Sequence, residues 1–213
     1  MKYPAFIDDV PRIKMYDPLA KFLGAIDDGI IEYSYLDAIK LAGHSCPSVA
    51  SAYWITVKAL KALYSQEIPE RGNIRVEFRQ KSTDGVCGVI ANIINLITGA
   101  GDQAAFKGIG GRFDRRNNLQ FESDIQTEMR FTRLDNMKMV TVSVNLKDIP
   151  TSSHVLELLQ LCLNETAEDE DHNEFRQLWQ MRVRAILFDH ADDPHVFNLV
   201  PFEMQHSVVG NIP

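Results

Sequence analysis

The segment Gly43-His44-Ser45-Cys46-Pro47 places a helix stop and a helix start within five residues. Upstream, Ser34-Tyr35-Leu36-Asp37 has the form of a capping box, with aspartate in the usual Glu/Gln position. The helix it opens is expected to run to Ala42 and stop at Gly43. Pro47 fits the first position of the next helix, where a missing N–H costs nothing. Cys46 then becomes the N-cap, beside free backbone N–H groups and the positive end of the helix dipole. A thiol in that place is biased toward thiolate. His44 adds an imidazole, the commonest metal ligand and general base.

After Pro47 the apolar positions Val49, Ala52, Tyr53, Val57, Leu60, Leu63 and Tyr64 recur with a period near that of a helix. Pro69 and Gly72 close this unit. Ile74, Val76 and Phe78 alternate with Arg75, Glu77 and Arg79, the period of a half-buried strand. Residues 85–98 read as a buried helix stopped by Gly99. The glycine-rich stretch 106–113 reads as a strand, followed by strands at 119–121, 129–131 and 139–144. Helices are expected again at 153–163 and 173–190, with an acidic turn at 168–171 between them. Residues 1–18 read as an extended arm, 22–31 as a short helix ending near Gly29, and 196–213 as a tail wrapped on the body or on a partner subunit.

Helices, then strands, then helices predict an α+β fold with a mostly antiparallel sheet in a single compact domain. Residues 1–150 form the expected core, and 151–213 a C-terminal helical extension and tail. The 213 residues suffice for one sizeable core. A net charge of −7 argues against nucleic acid and against an anionic membrane surface as the main partner. No apolar run approaches the roughly 18 residues of a membrane span. The N-terminal ten residues do not read as a signal peptide. The three cysteines, at 46, 87 and 162, have no disulfide-framework spacing, which favours a reducing cytoplasm.

Cys87, in Asp84-Gly85-Val86-Cys87-Gly88, is a second cysteine at a helix entrance. Cys46, Cys87 and His44 could converge on one cation; zinc accepts Cys2His with a fourth position left to water. A packed small thiol explains Cys87 equally well. Asp37 and Asp84 are candidate catalytic carboxylates, as bases or as partners of His44. Their alternative roles are closure of the capping box and of a turn. Lys107-Gly108-Ile109-Gly110-Gly111-Arg112 is a basic stretch in which Lys107 and Arg112 could bind an anionic substrate, or whose glycines could serve a twisted strand. It is neither a Walker loop nor a dinucleotide fingerprint. Cys162, among leucines, reads as core, and Trp54 and Trp179 as packing residues.

The run Ala42-Gly43-His44-Ser45-Cys46-Pro47-Ser48-Val49-Ala50 resembles the Gly-His-x-Cys-Pro signature of FmdE-like proteins, relatives of one of the smaller components of molybdenum or tungsten formylmethanofuran dehydrogenase. Cys87-Gly88 through Leu96-Ile97-Thr98-Gly99 is similar to the family's second signature. The likeness spans about residues 30–122. It implies an α+β core, a homodimer, and a metal, often zinc, on His44, Cys46 and Cys87. Ile90 stands where the family often has aspartate, and no CxxC occurs, so the resemblance is to the family's core domain only, without its C-terminal zinc finger.

The expected function is that of an FmdE-like metal-binding protein whose Cys/His site, with zinc the expected ion, polarises water or a small substrate. One alternative is a non-catalytic accessory or metal-handling subunit of a molybdenum, tungsten or one-carbon enzyme. Another is a thiol redox sensor that pairs Cys46 with Cys87.

Overall fold

A computed structural model describes residues 2–149 and 151–202. Among them, a two-stranded sheet, β1 (Ile13–Tyr16) with β2 (Ile30–Tyr33), stands apart from a five-stranded sheet. The larger sheet has the order β4-β3-β5-β6-β7, from β3 (Ile74–Phe78), β4 (Leu119–Gln120), β5 (Met129–Arg133), β6 (Met139–Val144) and β7 (Phe197–Phe202). Only the short β3–β4 pairing is parallel. Six α-helices complete the described structure: α1 (Pro18–Phe22), α2 (Tyr35–Ala42), α3 (Pro47–Tyr64), α4 (Cys87–Thr98), α5 (Ser153–Leu163) and α6 (Asp169–Arg184). The fold is a compact α+β arrangement, as the order of sequence patterns predicts.

The centre of the molecule is α3. It touches α2, α4, α6 and strands β5, β6 and β7. Its burial therefore extends well beyond the single stripe legible in the sequence: Ala50, Ser51, Trp54, Ile55, Thr56 and Ala59 are buried as well. Small residues let neighbouring elements approach closely. The two buried hydroxyls are satisfied within the helix, Ser51 donating to Ser48 O and Thr56 to Ala52 O. Trp54 Nε1 donates to Ala191 O at 2.8 Å, which fastens the chain beyond α6 to α3.

Several local expectations are corrected. The first helix lies at α1 rather than 22–31, because Asp17 accepts N–H bonds from Leu19 and Ala20 with Pro18 in the first position. The arm contains a 3-10 turn, Ala5–Ile7, and strand β1, which pairs with β2. The acidic residues 168–171 form the capped first turn of α6, since Glu168 and Asp171 make a reciprocal capping box. That helix ends at Arg184 and continues as a π turn, Ala185–Asp189. Residues 106–113 form no strand; a tight turn joins Ile109 and Arg112. The tail's first part is an edge strand, β7, paired along β6, while residues 203–213 lie outside the described residues.

A buried charge cluster ties distant parts of the chain together. Arg115 Nη2 donates to both oxygens of Asp17, at 2.7 and 2.8 Å, and Arg71 Nη1 donates at 3.1 Å. Arg71 also donates through Nε and Nη2 to Leu96 O near the end of α4. Burial alone would raise the Asp17 carboxyl, but the Ala20 N–H and the two guanidinium groups more than offset it and hold it below the usual range. Removing this one carboxylate leaves two buried cations facing each other, so Asp17→Asn is expected to cost about 3–5 kcal/mol in urea denaturation at pH 7. Because the folded value is depressed, the stabilisation from Asp17 is complete above the ordinary aspartate range. It is lost as pH falls through the folded value, and the stability of the variant should vary less across that window.

Candidate functional site

The junction between α2 and α3 is built as its sequence requires. The capping box is complete: Asp37 Oδ2 accepts from Ser34 N at 2.9 Å and from Ser34 Oγ at 2.7 Å. Asp37 also faces Lys40 at 3.8 Å, so this carboxylate is engaged in starting α2. Gly43 ends the helix with φ +78°, a left-handed conformation that glycine adopts without penalty, and donates to Ile39 O. Cys46 is the N-cap of α3, with no side-chain cap bond, and Pro47 takes the first helical position.

Ser45 anchors the loop to α6. Its backbone carbonyl accepts from Trp179 Nε1 and Gln180 Nε2, each at 3.1 Å. Its hydroxyl donates to Gln180 Oε1 at 3.0 Å, which leaves the Tyr35 hydroxyl, 2.9 Å away, as donor to Ser45 Oγ. Burial pushes the Tyr35 phenol up, in keeping with a protonated donor. Sequence reasoning assigned Trp179 to packing and did not single out Ser45 or Gln180. No local signal links positions 134 or 135 residues apart. Beside this anchor lies a largely apolar cavity of about 740 Å³ bordered by Phe6, Ile39, Ser45, Phe175 and Trp179.

His44 is exposed, with Nδ1 3.0 Å from Ala42 O. A carbonyl only accepts, so in the neutral ring Nδ1 carries the proton and Nε2 keeps its lone pair, the tautomer of a metal-ligating histidine. Cys46 is half-buried, whereas Cys87 is buried at the first position of α4. Burial first, and the nearby Asp84 second, push the Cys87 thiol up. Asp84 is exposed and accepts from Lys81 N at 3.1 Å, the turn role rather than contact with an imidazole.

The first turns of α3 and α4 border one cavity of about 250 Å³, through Ser48 and Ser51 on one side and Val86, Cys87 and Ile90 on the other. Glu128 also borders it and accepts from Val144 N at 2.9 Å. Among the described residues, no group of three or more His, Cys, Asp and Glu side chains is arranged to hold a metal ion. Cys162 is half-buried on α5. All three cysteines are free thiols.

The second predicted region sits elsewhere. Lys107 and Arg112 are exposed, and Arg112 borders a cavity of about 480 Å³ together with Arg71 and Arg115. Arg71 reaches Leu96 O at the far end of α4 from Cys87. At 1.5 Å rise per residue the two ends of that helix are about 17 Å apart. The basic turn and the cysteines thus belong to different places in the fold.

The chain matches no protein-family model and no curated protein. Among the described residues no helix is long and apolar enough to cross a membrane.

The burial pattern has a direct chemical consequence. A thiolate reacts and a thiol does not, so Cys87, enclosed and with a raised pKa, should react slowly with an electrophile. In the native protein at neutral pH, iodoacetamide is expected to label Cys46 well before Cys87, read by peptide mass spectrometry. Labelling of Cys87 should approach that of Cys46 only on denaturation or at markedly higher pH.

Proposed function

We propose that this chain is an FmdE-like metal-binding protein that holds a divalent ion, zinc the expected one, through His44, Cys46 and Cys87. The single observation that carries the reading is the bond from His44 Nδ1 to Ala42 O, which orients the ring and leaves Nε2 open as a ligand. Two placements support it. Cys46 is the N-cap of α3 and Cys87 the first residue of α4, so both sulfurs stand at helix entrances, although burial and Asp84 oppose the thiolate at Cys87. The N-terminal parts of the two helices also border a common cavity, with Cys87 on its wall.

The fit is partial, because among the described residues no three candidate ligands stand together within one chain. The exposed His44 is open to a second copy of the chain, and a homodimer is part of the proposal. Service to a molybdenum or tungsten enzyme belongs to the same family reading. When bound, the ion would supply Lewis-acid polarisation of water or of a small substrate. The chain's own part is to fix the His44 ring, to hold the loop through Ser45 and α6, and to release a proton from Cys87 on ligation. Because that thiol is pushed up, metal uptake should strengthen as pH rises.

Elemental analysis decides the matter. Protein purified under reducing, chelator-free conditions without a metal-binding tag is expected to carry about one zinc per chain or per dimer. His44→Ala, Cys46→Ala and Cys87→Ala should each lose it while keeping the native circular dichroism spectrum. Metal-free wild type that also fails to take up added zinc would overturn the proposal.

A further inference from the structure

The arginines at the far end of α4, Arg71 and Arg115 half-buried and Arg112 exposed, are only partly used by the fold. Arg115 spends Nη2 on Asp17, while its Nε and Nη1 make no hydrogen bond to protein among the described residues. Arg112 has no carboxylate partner among them either. Its guanidinium lies 4.8 Å from the Phe113 ring centre and 5.9 Å from that of Phe22, and those two rings are 5.3 Å apart. Stacking on aromatic faces restrains a guanidinium without consuming its N–H donors. Arg71, Arg112 and Arg115 all border the same cavity of about 480 Å³.

The charge balance of this cavity is positive. Asp17 is shared by Arg71 and Arg115. Asp114, also on the wall, is paired with Arg116 at 2.6 Å. Glu70 is the remaining acid on the wall, and its carboxyl is raised by burial first and by Asp135 and Asp17. Three guanidinium groups therefore face two carboxylates, Asp17 and Glu70, once the Asp114–Arg116 pair is set aside.

The glycine-rich stretch is what presents Arg112 here. Ile109 and Arg112 exchange backbone bonds of 2.9 and 3.0 Å across Gly110-Gly111. A Cβ on Gly108 would lie 2.2 Å from Arg112 O, so only glycine permits this turn. Phe113 follows with φ +63°, a left-handed backbone that a bulky residue rarely takes.

We propose that this cavity is an oxyanion-binding site, in which Arg112 and the free edge of Arg115 grip a phosphate or carboxylate group and Arg71 and Asp17 hold Arg115 in place. Guanidinium donors suit either group, since both present paired oxygens to a planar fork. The site lies at the opposite end of α4 from Cys87 and does not depend on the metal reading.

Isothermal titration at neutral pH and low ionic strength, with inorganic phosphate in one arm and succinate in the other, tests the site on the full chain. At least one anion should bind saturably at about one per chain, and the stronger arm identifies the group preferred. Loss of one charged hydrogen-bonding partner predicts that Arg112→Ala weakens binding by about tenfold or more. Arg112→Lys should fall between it and wild type. Arg79→Ala, an exposed arginine on the loop after β3, should bind as wild type does. Arg112 is exposed and does not touch Asp17, so its variants are expected to keep the native melting temperature. Absence of saturable binding in both arms would overturn the proposal. So would equal affinity in Arg112→Ala and wild type, or equal loss in Arg79→Ala, which would mark general surface charge.

Discussion

The structure depends on one constraint: α3 is enclosed on nearly all sides, so every layer must be compatible with its surface. The sheet meets it through β5, β6 and β7, and α2, α4 and α6 meet it elsewhere. Close packing of this kind leaves little freedom at its ends. The start of the helix is fixed by Pro47 and by the anchoring of Ser45 to Trp179 and Gln180. His44 and Cys46 are thereby held on a short loop whose two flanking elements cannot shift independently. Such a loop, carried by rigid neighbours, is the usual setting for binding chemistry.

A second constraint is electrostatic. Asp17 caps α1, accepts from two arginines and, through Arg71, is joined to the end of α4. Charges buried in this way tolerate few alternative arrangements, because each must keep its partners or return to water. The cluster therefore sets the position of the loop that follows α4, and with it the basic turn. One end of α4 carries Cys87 in an enclosed setting, and the other meets guanidinium groups with donors to spare. The two ends of a single helix thus lie in different electrostatic surroundings.

Much of the secondary structure was legible because its signals are local. The capping box at Ser34 and Asp37, the Gly43 stop and the Pro47 start lie within a few residues of the bonds they make. The alternation in β3 and the helix 153–163 are equally local. Where the reading failed, a neighbour in space overrode composition. The stretch 106–113 has strand-like residues, yet its glycines close a turn rather than pair with a sheet. The acids at 168–171 look like a solvated turn, yet they cap α6. The first part of the tail after Val196 does lie on the body, and there β6 offers the edge that it joins as β7.

Of the candidate site, local sequence was enough to put a histidine and a cysteine at one helix entrance and a second cysteine at another. It was also enough to put a glycine-rich basic stretch after α4. Hydrogen bonds and dihedral preferences within about four residues carry that much. Long-range packing was needed to grip Ser45 on α6, to enclose Cys87, and to bring Arg112 beside Arg71 and Arg115 instead of beside the cysteines. The same packing joined Asp17 to partners 54 and 98 positions away. Those arrangements arise from closing the whole chain around α3, and no short window of sequence carries the energy of that closure.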